Sequence, residues 1–293
     1  MDQIEDELFR WLAPARRTAI VDVGANPIAG HPPYRPMLEA RLCTVVGFEP
    51  QPAALAKLRA RAGPLETYLP DALGDGRGHT LRVCAAEGMT SLLRPDAKSL
   101  ALFPPFDEFG KVVEERPLET RRLDEIAAID ALDFLKLDVQ GFELEVLRGG
   151  RVKLGSVVAV QTEVSFMPLY EDQPPLGEID LELRARGFVP HAFVDQKRWI
   201  IAPMCIGGDL RRPLNQMLEA DLVYVRDFRH LEYLSEEQLK HLALVAHHCY
   251  GSFDLALICL IELERREMLP GPVRERYLAL ARAAAPAVFA GIP

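Results

Sequence analysis

The chain has no Cys-x-x-Cys pair, no Gly-x-Gly-x-x-Gly turn, little positive charge and no long apolar run. Its five cysteines, Cys43, Cys84, Cys205, Cys249 and Cys259, are odd in number and scattered. That excludes a disulfide framework or a cysteine-built zinc site and fits a reducing compartment. Lys and Arg total 34 against 43 Asp and Glu, a formal net charge of −9. A dedicated nucleic-acid binder would show a basic face instead, so no nucleic-acid partner is expected. The longest apolar run near the C-terminus, Leu255 to Ile261, is far below the ~20 residues that span a bilayer. The N-terminal MDQIEDELFRW is acidic and does not read as a signal peptide. These absences predict a soluble cytoplasmic protein with no membrane span.

The apolar content, 49% over 293 residues, is ample for a sizeable core. Short apolar runs alternate with amphipathic segments over the first ~230 residues, the pattern of a parallel sheet wrapped in helices. Strands are predicted at Ala19–Val23, Thr44–Phe48, Glu66–Leu69, His79–Ala85, Phe134–Val139, Val157–Glu163, Phe188–Phe193, Arg198–Ile201 and Leu222–Val225. Helices are predicted at Pro52–Ala62, Glu143–Leu147 and Leu176–Arg186. Gly74 to Gly78 reads as a tight turn, and Pro95 to Gly110 as an irregular flap over a site. From Ser235, a predicted helix start, the pattern is helical to about Phe289, broken at Pro270-Gly271-Pro272. The expected organisation is a domain over 1–230 and a C-terminal helical extension over 231–293.

Three strand ends carry chemistry. In Ala19-Ile-Val-Asp-Val-Gly-Ala-Asn26 an apolar strand runs through Asp22 into a turn of Gly24, Ala25 and Asn26. Ligands of doubly wound sheets bind outside the carboxyl ends of the strands. With the Gly-x-Gly-x-x-Gly cradle absent, a diphosphate is disfavoured, and so is a nicotinamide-dependent oxidoreductase. An acidic turn suits a nucleoside with a cationic tail. Glu49, ending Val45-Val-Gly-Phe-Glu-Pro50, can accept hydrogen bonds from both ribose hydroxyls; Pro50 sets the turn that follows. Asp71 and Ala72 follow the third strand, placed to meet an adenine edge. Together these stations outline an S-adenosylmethionine site.

The stretch Asp133-Phe-Leu-Lys-Leu-Asp-Val-Gln-Gly141 ends a strand in Asp138, and Glu143 opens a helix where the dipole favours its charge. Val157-Val-Ala-Val-Gln-Thr-Glu163 ends in a second acid at the same edge. The segments VDVGAN, VVGFEPQP, DALGDGRG, TSLL and LKLDVQGFELEVLRGG, spread over roughly residues 18–203, resemble the FkbM-type methyltransferases. The resemblance implies a class I methyltransferase fold, Rossmann-like and doubly wound around a mostly parallel sheet. It also implies S-adenosylmethionine as donor and O-methylation of sugar hydroxyls. The Pro-rich stretch Ile28 to Pro36 departs from that pattern.

An alcohol acceptor benefits from a base, and the candidates are Asp138, Glu163 and His191 in that order. The paired acids are also oxygen donors of the kind that take Mg²⁺, and the sequence leaves a metal open. His241, His247 and His248 sit among Leu242, Leu244 and Val245 without further ligands at metal spacing. The expected partner is a small-molecule or glycan acceptor, with the C-terminal helices available for a homo-oligomer contact. Two other readings stand beside this one: methylation of a nitrogen or a non-sugar small molecule, and a binding or scaffold protein that keeps a donor site.

Overall fold

The computed structural model describes residues 4–26, 30–209 and 212–290. The described residues form ten strands, and the central ones, rich in Val, Ile and Leu, are buried on both faces, as parallel sheets require. Five of them are β1 (Thr18–Val23), β2 (Cys43–Phe48), β3 (Glu66–Leu69), β4 (Ala72–Leu73) and β5 (Gly78–Cys84). The others are β6 (Val112–Arg121), β7 (Phe134–Leu137), β8 (Ala159–Ser165), β9 (Phe188–Trp199) and β10 (Gln216–Arg226). Seven join in the order β3-β2-β1-β7-β8-β10-β9. Pairing is parallel from β3 to β8, and β10 runs antiparallel to both of its neighbours. The order reverses between β1 and β7, which opens a crevice at their carboxyl ends.

One face of this sheet packs Val21, Leu135, Val160 and Leu222 against Leu144 and Leu147 of the helix Glu143–Arg148. On the other face Ile20, Phe134 and Val223 share a core with Leu242, Leu260 and Tyr277. The last three come from the helices Glu236–Tyr250, Phe253–Arg265 and Val273–Ala284. Ser235 starts the first of these through reciprocal bonds with Gln238, and Gly251 ends it at φ 60°. His241 is buried with Nδ1 3.0 Å from Thr18 Oγ1, and His247 Nδ1 lies 2.9 Å from Tyr277 Oη. Among the described residues no helix is long and apolar enough to cross a membrane.

The structure adds one strand that the sequence did not indicate and corrects two expectations. β6 has no apolar alternation because most of its residues face solvent; it forms by pairing antiparallel with β5 and parallel with β4. The two strands expected at 188–193 and 198–201 are one strand, continued through the exposed 194–197 by its pairing with β10. The 95–110 flap contains the helices Ala97–Ala101 and Phe106–Phe109. Its Leu100 and Phe103 pack with Met89, Tyr170 and Leu218, and Trp199 Nε1 donates to Pro104 O at 2.8 Å.

Candidate functional site

The floor of the crevice is set by the strand register. β1 and β7 pair so that Asp22 lies beside Lys136; Asp22 is buried and Lys136 largely so. Lys136 Nζ donates to Asp22 Oδ1 at 3.2 Å, and Tyr34 Oη donates to Oδ2 at 2.6 Å. Burial pushes the Lys136 ammonium down, but the Asp22 and Asp138 carboxylates outweigh it and hold the amine charged. Burial and the adjoining Asp22 keep Tyr34 protonated. Asp22 is thus a neutralised support under the crevice rather than part of its lining. Gly24, at φ 78°, turns the chain where a Cβ would meet Asp138 O at 1.8 Å, so no larger residue fits. The Gly24 and Ala25 amides both donate to Phe48 O, tying the turn to the end of β2.

A cleft opens above this floor, lined by Gly24, Asn26, Glu49, Pro50, Asp71, Ala72, Asp138 and Glu163 among others. Glu49 is 3% exposed and accepts the Gln51 amide on Oε1 at 2.7 Å. Burial first, and the charge of Glu87 as well, push its carboxyl up to about 7 against the pull of that amide. Asn26 Nδ2 donates to Glu87 Oε1 at 2.9 Å, and Asp71 Oδ1 accepts from Arg121 Nη1 at 3.0 Å.

Past β7 the chain turns through Gln140 and Gly141, both at positive φ. Glu143 fixes this turn: its Oε1 accepts the amides of Val139 and Gly141 at 2.9 and 3.2 Å. Its burial pushes the carboxyl up to about 7, opposed by those amides and assisted by Asp138. Asp138 faces the cleft, with Oδ1 accepting from Gln140 Nε2 at 2.9 Å and Oδ2 3.9 Å from Lys136 Nζ. Glu163, on β8, is buried at the cleft wall. Burial, then Glu219, Asp138 and Glu143, raise its carboxyl well above the usual range; Lys197, 4.0 Å away, acts against them. Lys197 also donates to Glu219, and those two acids overcome its own burial and keep it charged.

Eight of the eleven residues singled out from the sequence line this cleft. Three do not. Asp22 lies beneath it, Ala25 packs behind it with Leu55, Leu58 and Tyr68, and His191 lines a different groove with Nε2 2.7 Å from Ser252 Oγ. The Pro-rich stretch 28–36 begins outside the described residues, and its described end places Tyr34 on Asp22. Sequence reasoning did not single out Lys136, Lys197, Gln140 or Tyr34. Lys136 had a signal, since a cation inside a buried strand requires an anionic partner. For Lys197 none exists, because it meets Glu163 only through the β9–β10–β8 pairing. Among the described residues no three His, Cys, Asp or Glu side chains are grouped to hold a metal ion.

Residues 22–190 match the family described as Methyltransferase FkbM domain. The chain is similar to the 2-O-methyltransferase NoeI of Sinorhizobium fredii, at 31% identity over 170 residues, 55% of this chain and 68% of that protein. Among solved structures it is similar to magnesium protoporphyrin IX methyltransferase (ChlM) from Synechocystis PCC 6803 with bound SAM. That likeness is 11% identical with a TM-score of 0.37, over 75% of this chain and 77% of the other. Precorrin-6y C5,15-methyltransferase from Geobacter metallireducens is similar at 12% identity and a TM-score of 0.33, over 75% and 85%.

Proposed function

Because the chain belongs to the FkbM methyltransferases, a family that uses S-adenosylmethionine, we propose that it methylates a hydroxyl of a sugar or glycan precursor. The observation that carries this reading is the convergence on one cleft of Glu49 and Asp138, which directly follow β2 and β7, and Glu163, near the carboxyl end of β8. The cleft residues fit the donor. Glu49 presents a carboxyl to a vicinal diol, Gly24 leaves the floor clear, and the acids of the cleft suit a cationic sulfur. When bound, S-adenosylmethionine supplies an electrophilic methyl group. The 2-O-methyltransferase similarity supports oxygen as the acceptor atom and a sugar as its carrier.

In this reading the chain positions the acceptor and takes its proton. Positioning supplies much of the acceleration, and the base adds a further factor of about 10² to 10⁴. Asp138 is the first proton acceptor, since its carboxylate faces the cleft. Glu163 is the second, a carboxyl on the cleft wall whose affinity for a proton is raised by burial and by neighbouring acids. His191 stands outside the proposal because its ring faces Ser252. Residues 1–230 form the catalytic unit and 231–293 a helical extension against it.

Calorimetric titration with S-adenosylmethionine, followed by labelled-methyl transfer to a panel of saccharides and amines, tests the reading. Saturable donor binding and alkali-stable label on a saccharide oxygen are expected. Label on amines alone would move the acceptor to nitrogen, and donor binding without any product would leave a binding protein. Asp138→Asn is expected to lower kcat by about 100-fold or more while donor affinity changes little. Equal loss of both would make Asp138 structural.

A further inference from the structure

Gln140 joins the two candidate bases, and nothing in the reaction as described so far uses it. Its Nε2 lies 2.9 Å from Asp138 Oδ1 and 3.5 Å from Glu163 Oε2. Its Oε1 lies 3.3 Å from the hydroxyl of Tyr170. This orientation of the amide aims its hydrogens at both carboxyls, whereas a flipped one would set its oxygen 2.9 Å from Asp138 Oδ1. Burial, then Glu163 and Glu219, keep Tyr170 protonated, and its one hydroxyl hydrogen is shared between Gln140 Oε1 and Met89 O, the latter at 3.2 Å. The backbone is held as well. Gln140 adopts φ 54°, a left-handed conformation uncommon outside glycine, and the buried Ser91 hydroxyl donates to its carbonyl at 2.6 Å. A costly conformation held from two sides at a cleft wall is where function is to be sought.

We propose that Gln140 is a positioning residue: its two amide hydrogens space and orient the Asp138 and Glu163 carboxyls, with Tyr170 and Ser91 fixing Gln140 itself. The proposal rests on the reading that these two acids receive the acceptor's proton. A neutral donor between them lowers their mutual repulsion without supplying a proton that would occupy the base. Other charged groups face the pair: Lys136 on β7, Lys197 on β9, Glu219 and Asp221 on β10, and Glu143 on the helix that follows. None of these bridges the two carboxyls as the amide does.

Two substitutions test it. Gln140→Met keeps an unbranched chain but removes both donors. It is expected to lower kcat by about 100-fold, the scale of a misplaced reacting group, and to shift the acidic limb of the kcat–pH profile upward. Donor affinity is expected to stay within about threefold. Gln140→Glu keeps the shape and places a third carboxyl between two, so the folded protein must take up a proton. Its urea-unfolding midpoint is expected to fall with rising pH between about 5 and 8 more steeply than that of the wild type. A Gln140→Met protein with wild-type kcat and pH profile overturns the positioning role. So does a Gln140→Glu protein whose unfolding follows the wild-type pH dependence. A wild-type protein that binds donor yet methylates no hydroxyl is a separate failure, that of the reaction assigned above.

Discussion

At the scale of single residues the site is governed by how burial changes a carboxyl. Glu49 is built to accept hydrogen bonds, but in the free protein it holds its proton up to about pH 7. A ribose diol is best bound by the ionised form, which accepts without donating. Donor affinity is therefore expected to be full above pH 7 and to fall as pH drops below it, by up to about tenfold per unit. Proton release on binding is expected in calorimetry below pH 7, compared across buffers of different ionisation heat. Glu49→Gln is expected to weaken donor binding by about 1–3 kcal/mol and to abolish this pH dependence. An unchanged affinity would remove Glu49 from the site. Its place at the end of β2 was legible in the sequence, because an acid closing an apolar run stands out. The burial that retunes it was not.

At the scale of elements, the turn between β7 and the helix Glu143–Arg148 is held by a buried carboxyl. Dipole reasoning from the sequence put Glu143 at the helix start; the structure adds that its side chain reaches back to two amides of the turn. Glu143 titrates near 7 when folded and near 4.3 when unfolded. The folded state binds the extra proton in that window, so stability from this group is present at low pH and lost as pH rises to 7. Buried histidines work in the opposite direction over a similar window, since burial lowers His191 and His241 and takes His247 to about 4. The variant difference isolates the carboxyl. Glu143→Gln keeps the acceptor oxygen and removes the buried charge, so it is expected to match wild type near pH 4.5. By pH 8 it is expected to exceed wild type by about 1–3 kcal/mol, measured by urea unfolding. A difference independent of pH would mean that Glu143 ionises freely.

At the scale of the whole molecule, the last three helices and the sheet share one apolar core, in which Ile20 and Phe134 meet Leu242, Leu260 and Tyr277. A chain ending at residue 234 would expose that face of the sheet. It is expected to lose cooperative unfolding by circular dichroism, and the full chain to unfold in one transition. A truncated chain that folds and binds donor would make the extension dispensable for the site. The sequence by itself determined the strands and helices with strong local periodicity, the helix start at Ser235 and the acids that directly follow β2 and β7, because each is a pattern of near neighbours. Only the tertiary structure decided that β6 exists, that Lys136 neutralises Asp22, that Lys197 and Gln140 reach Glu163, and that His191 turns away. Those outcomes depend on register between segments distant along the chain, and on the burial that register imposes on each charge.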